Sequence, residues 1–341
     1  MKKLLPLFVL LFCLQLSAQK FDNALSYLEF ISDEQTTISK TMWRYTQAIA
    51  HSKNDKSIES RHNALIKSMD KAIARISTAE SFGDSGFKEK VIANLTLNKK
   101  LLNHEYAEVL DMKKIAEESY DDMEAYFMAR EMANQKMEEA QNEFEIDYYK
   151  YAADNNIDII ESETDLSKKI KLSNLVFDHY NEMYLLFFKA QINEIYLNRA
   201  IDAQDVNAIQ QNADALISAA NEGLNKLSSI NLYENDASIV KSTEKAFQFF
   251  IEEAQNEIPK IVDFLVLSES FEKINAAIED TPKRKRTKEQ IDVYNKKVKE
   301  INKGVDRYNK TLAFLNKNRS DILNNLNATN EKFLAKHIPK D

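Results

Sequence analysis

The chain has 341 residues, of which 44% are apolar and 29% charged, with a formal net charge of −8 and a single cysteine, Cys13. That acidic balance lacks the net positive face that phosphate binding needs, so nucleic acid is not an expected partner. Four glycines and four prolines are too few for the turns of a β-rich or α/β chain of this length, and they provide no clustered glycines for a nucleotide-phosphate loop.

The chain opens Met1-Lys2-Lys3, runs apolar from Leu4 to Leu16 and reaches the small residues Ser17-Ala18. This is the pattern of a secretory signal peptide over residues 1–18, with cleavage expected after Ala18. The apolar run is shorter than the roughly 20 residues that span a bilayer. Cys13 lies inside it, behind the bulky Phe12, which does not suit lipid attachment. Removal of the leader takes Lys2 and Lys3 with it and leaves a cysteine-free chain of net charge −10. Disulfides, zinc–thiolate sites, cysteine nucleophiles and CxxCH haem attachment are then excluded. The expectation is an exported protein, periplasmic or at the cell surface, held together by its core.

Helical periodicity dominates the rest. Ala24, Leu28, Ile31, Gln35, Ile38, Met42, Tyr45 and Ile49 form one stripe; Ile58, His62, Leu65, Met69, Ala72, Ile76 and Ala79 form the next. Phe82-Gly83-Asp84-Ser85-Gly86 is a strong break. A third helix is expected from Phe87 and a fourth from Ser119, with a weak boundary between them, and Asp154-Asn155-Asn156 closes this half. The second half starts near Glu163. Its first helix carries six consecutive apolar residues, Met183 to Phe188, which predicts a central position. Val206, Ile209, Ala213, Leu216, Ala220, Leu224 and Leu227 mark the next helix, and the turn Glu234-Asn235-Asp236 follows. A long helix then runs to about Ile278 with a kink expected at Pro259. Ile291, Tyr294, Val298, Ile301, Val305, Tyr308, Leu312, Leu315, Arg319, Ile322, Leu326, Thr329 and Phe333 make the last helix, with a coiled-coil rhythm. Pro282 is placed for its first turn, and Arg319 is the one misfit in the stripe.

An offset of 151 pairs Ala64-Leu65-Ile66 with Ala215-Leu216-Ile217, Ile58 with Ile209, Ile73 with Leu224, Ile76 with Leu227, Ser77 with Ser228 and Phe82 with Tyr233. Any two amphipathic helices can be slid into register, but the shared turn, Gly83-Asp84 facing Glu234-Asn235, favours a duplication. The expected fold class is all-α: a long-helix bundle of about eight helices, with four-helix units over 19–156 and 157–341 packed together.

Glu59-x-x-His62 matches half of a carboxylate-bridged di-iron site, but no second such motif exists and His62 lies on an apolar stripe, as a core histidine does. His179-x-x-Glu182 is similar to the GxHxxE motif of imelysin-type envelope proteins, with Phe177 in place of the glycine. His51 and His104-Glu105 have no partner at ligand spacing, and His337 is in the tail. Trp43, the sole tryptophan, is expected in the core or at a groove edge. From Glu117 to Asp147 eleven acids face two basic residues; from Lys283 to Lys310 eleven basic residues face four acids. A solvated face is the plain reading of each. The acidic fourth and basic last helices occupy equivalent positions in the two units and are expected to attract, within a molecule or between two. Apolar runs such as Met183 to Phe188 and Phe264 to Leu267 are too short for a pore-forming hairpin.

Trp43-Arg44-Tyr45-Thr46-Gln47-Ala48-Ile49-Ala50-His51-Ser52 and Glu118-Ser119-Tyr120-Asp121-Asp122-Met123-Glu124-Ala125-Tyr126 resemble a family of uncharacterised helical surface proteins of Gram-negative bacteria, found in spirochaetes and Bacteroidetes. The resemblance implies export and supplies no activity or catalytic residue. No catalytic, cofactor or metal-binding residue is assigned. The expected function is non-catalytic binding or scaffolding toward an envelope or extracellular protein or glycan. The alternatives are metal or small-ligand binding, or a weak hydrolase, through buried histidine and carboxylates, and peripheral membrane attachment through Lys283 to Arg286.

Overall fold

The computed structural model describes residues 19–340 except 53, 84, 117–118 and 161–163, and for 85 and 104–116 the backbone alone. The expected signal peptide with Cys13, the acids Glu117 and Glu118 and the side chains of His104 and Glu105 lie outside the described residues. Everything regular within them is helical, with no strand. The helices are α1 (Ala24–His51), α2 (Asp55–Thr78), α3 (Ser85–Ala116), α4 (Tyr120–Asp154), α5 (Asp165–Asp202), α6 (Val206–Leu227), α7 (Ser238–Glu252), α8 (Ile258–Asp280) and α9 (Lys288–His337). A π-helical turn, Glu253–Glu257, makes α7 and α8 one continuous element, so the described residues form eight long helices.

Local chemistry explains the ends. The side chains of Asn23, Asn54, Ser119, Thr164, Asp205 and Thr287 each accept a backbone N–H in the first turn that follows, filling donors that a helix start leaves unpaired. The Ser119 cap makes α3 and α4 two helices rather than one bent one. Pro259 cannot donate to the ladder and its ring crowds the carbonyl four residues back; the π turn lies just before it. Pro282 does not start α9. It precedes a 3₁₀ turn, Lys283–Lys285, and the capping box of Thr287 and Gln290 starts α9 instead.

Buried side chains fall into two large clusters. One joins α1 to α4 through Tyr27, Leu28, Ile31, Leu65, Met69, Ile76, Val91, Leu95 and Tyr151. The other joins α5 to α9 through Met183, Phe187, Leu197, Leu216, Phe247, Ile261, Leu315 and Phe333. It also takes Trp43 and Ala50 from α1, so α1 serves both. Its expected stripe holds from Ala24 to Ile38 and then drifts: Ile49 is 39% exposed while Trp43, Thr46 and Ala50 are buried. A three–four rhythm averages 3.5 residues per turn against 3.6 for the helix, so a straight helix rotates off it. A third cluster, Met123 and Tyr126 of α4 against Phe188 and Ile192 of α5, closes the seam between the two groups. α5 packs on α1, α4, α6, α7 and α9, the central place expected from its apolar run.

At the offset of 151, α1 and α5 end at His51 and Asp202, and α2 and α6 follow the caps Asn54 and Asp205. Leu65 and Leu216 are both fully buried. Gly83 and Glu234 both have left-handed backbone, φ 75° and 48°. The correspondence ends there. α7, the π turn and α8 have 15, 5 and 23 residues against 32 in α3, so the offset puts the start of α9 opposite the middle of α4. The acidic and basic helices are therefore not in register. Both pack on α1 and α5, but α4 otherwise packs on α3 and α9 on α7 and α8.

Candidate functional site

A cleft of about 660 Å³ lies where the start of α4, the middle of α5 and the end of α6 meet. Glu124, Asp178 and Glu182 line it with His179, Tyr120 and Lys226, and Leu185, Leu186 and Ile230 form its apolar floor. The helical spacing of Asp178, Glu182 and Leu185 puts them on one face of α5. Glu222 beside the cleft is shared by Lys189 at 2.7 Å and Lys226 at 3.0 Å. Hydrogen bonds from Lys189 and then Lys226 hold its carboxyl below the usual range. Three lining carboxylates thus share the cleft with one lining ammonium, Lys226, which is itself paired to Glu222, while Arg130 outside the lining pulls on Asp178. All three lining carboxylates are solvent-exposed, although partial burial, with Glu131 adding repulsion, still pushes the Asp178 carboxyl up.

His179 is 9% exposed, and its Nε2 is buried with no hydrogen-bond partner among the described residues. Burial lowers its pKa against the pull of Glu182 and Asp236, so the ring is neutral and one nitrogen can accept. It also leans on the rings of Phe333 and Tyr233, at centroid distances of 5.7 and 6.5 Å. Of the expected pair, Glu182 and His179 thus share one cleft. Glu59 and His62 do not come together: Glu59 is exposed, whereas His62 is buried, its Nε2 3.4 Å from the Leu102 carbonyl and its ring edge-on to Tyr45. His51 has no hydrogen-bond partner for either ring nitrogen among the described residues. Trp43 is buried, 5% exposed, under the Lys169 ammonium. Among the described residues no three histidine, cysteine or acidic side chains are grouped to hold a metal ion.

Two further polar clusters lie outside the cleft. Arg319, the misfit of the last stripe, reaches into the second core, with Nε 2.6 Å from Glu194 Oε1 and NH2 bonded to Glu253 on the π turn. Both carboxyls are buried. Burial pushes Glu253 up to about 7 and also raises Glu194, against the opposing pull of Arg319. Two acids and one guanidinium balance when one acid keeps its proton. The second cluster fastens the end of α9. His337 is not in a loose tail but buried in the last turn, with Nε2 2.9 Å from Asp236 and Nδ1 3.2 Å from Glu234. Lys336 reaches Asp236 at 2.7 Å. Burial opposes ionisation of Asp236, but its bonds from Lys336, Ser238 and His337 outweigh that and hold the carboxyl far below the usual range.

Sequence reasoning marked His179, Glu182 and Arg319 but missed Tyr120, Glu124, Asp178 and Lys226 as cleft residues, and Glu194 and Glu253 as partners. Arg319 on an apolar stripe was a usable signal for a buried carboxylate, though not for which one. No helix among the described residues is long and apolar enough to cross a membrane. Comparison with known proteins finds no family model, no curated protein and no solved structure that matches this chain.

Proposed function

We propose that this chain is an exported, non-catalytic helical binding protein of the bacterial envelope whose ligand site is the cleft between α4, α5 and α6. The carrying observation is the cleft itself: about 660 Å³, lined by Glu124, Asp178 and Glu182 together with His179. Pockets of several hundred Å³ with few convergent polar groups suit small molecules. The excess of carboxylate selects a cationic one. The leader pattern of residues 1–18 supports export, and the two motifs around Trp43 and Tyr120 support membership of the helical surface-protein family. The matched ends of α1, α2, α5 and α6 support a duplicated unit, with the cleft at the junction of its copies.

The test is thermal unfolding of the mature chain with a panel of amines and diamines. A binder present at one hundred times its Kd stabilises by about 2.7 kcal/mol. Loss of that shift in Glu182→Gln and Asp178→Asn, with melting otherwise unchanged, assigns the site. No shift with any amine, or equal shifts in the variants, refutes it. N-terminal sequencing of the exported protein checks the leader, with Gln19 expected first.

A further inference from the structure

The distal halves of α8 and α9 form an arm. No residue of α9 from 288 to 310 is buried, and beyond Leu265 the one buried residue of α8 is Ile278. The two helices lean on each other instead. Phe264 packs in a tilted pair with Tyr308 at 4.5 Å and Phe271 stacks on Tyr294 at 6.0 Å. Gly304 brings the backbones close, since a Cβ there would lie 3.1 Å from both Phe264 and Leu267. At 1.5 Å per residue the stretch of α9 before Tyr308, which still packs on the second core, extends about 30 Å from the body.

The tip of this arm is an ordered cationic turn. The Lys285 N–H donates to the Pro282 carbonyl at 2.8 Å, Arg286 Nε donates to the Thr281 carbonyl at 2.9 Å, and Thr287 and Gln290 close the capping box. Lys283, Arg284, Lys285, Arg286 and Lys288 lie within six positions of one another. Among the described residues none has a carboxylate within ion-pair distance, although Glu279, Asp280 and Glu289 flank the turn. One turn inward, Ile291 and Val293 are 43% and 45% exposed.

We propose that this tip docks the protein onto an anionic lipid bilayer. A convex cationic point on a projecting arm meets a flat surface without interference from the body. Diffuse negative charge answers five unpaired cations without needing matched geometry. Exposed Ile291 and Val293 beside the cations fit the interfacial region of a bilayer rather than a soluble polyanion. The proposal does not rest on the cleft.

The experiment is co-sedimentation of the mature chain with phosphatidylglycerol-containing vesicles and with pure phosphatidylcholine vesicles. Binding is expected to the first and not the second, and to weaken with salt. Each cation near such a surface contributes a factor of about five. Lys283→Gln, Arg284→Gln and Lys285→Gln together should therefore weaken binding about a hundredfold. Lys296→Gln, Lys299→Gln and Lys303→Gln remove equal charge from the shaft and should weaken it far less. Circular dichroism checks that both triple variants remain helical; the exposure of the tip makes a folding defect no explanation for loss. No binding at low salt, equal binding to neutral vesicles, or equal losses in the two triple variants would overturn the proposal. So would binding to a soluble acidic polysaccharide but not to vesicles.

Discussion

Replacing Glu253 by Gln tests whether the buried Glu194–Arg319–Glu253 cluster retains a proton. Burial raises the Glu253 carboxyl from 4.5 to about 7. Between those values the folded protein holds a proton that the unfolded chain has released. The stability linked to it is fully present below about 4.5 and is lost as pH rises through about 7. At 1.36 kcal/mol per unit this amounts to about 3 kcal/mol. The amide of Gln is neutral at every pH and imitates the protonated acid. Relative to the native chain, Glu253→Gln should gain about 3 kcal/mol between about pH 4.5 and about pH 8. Urea midpoints followed by far-ultraviolet circular dichroism at a series of pH values measure the difference. A constant gap between the two chains across that range would refute the reasoning. Arg319→Met is the companion. It strands two buried carboxyls and should cost about 3–5 kcal/mol at neutral pH, with part of the loss recovered in acid as both become neutral.

Two other outcomes are expected. Gly223→Ala places a methyl carbon 2.4 Å from the Phe247 ring, so overpacking should cost about 1–3 kcal/mol in chemical denaturation; Phe247→Leu in the same chain should return part of it. Asp236→Asn removes a carboxylate whose folded pKa is depressed. Its contribution is present above the ordinary aspartate value and fades as pH falls below it. The substitution should speed amide hydrogen exchange in the last turns of α9 at neutral pH and leave α2 unaffected.

Much of the helical layout was legible before any coordinates. The stripes of α2 and α6 are buried where their periodicity put them, because a helix needs only local propensity, a cap and one apolar face. Other features were not legible. The stripe of α1 gives way at Trp43 because α1 lies against two cores, a circumstance its own residues do not record. The coiled-coil rhythm of α9 runs from Ile291 to Phe333, yet burial of its stripe starts at Leu315; the same pattern serves a two-helix arm and a full bundle. Of the cleft only His179 and Glu182 could be read, since Glu124, Asp178 and Lys226 each resemble ordinary surface residues until three helices bring them together.

What the sequence by itself determined is the class of structure: long capped helices, few turns, and no cysteine after Cys13. Those follow from composition and from a period of 3.6, both local properties. Only the tertiary structure decided which charges meet. Arg319 finds Glu253 across 66 residues and Glu194 on another helix, and His337 finds Asp236 across 101. Such contacts depend on the relative rotation and shift of packed helices, set by the summed fit of many apolar side chains rather than by the spacing of the charged residues themselves.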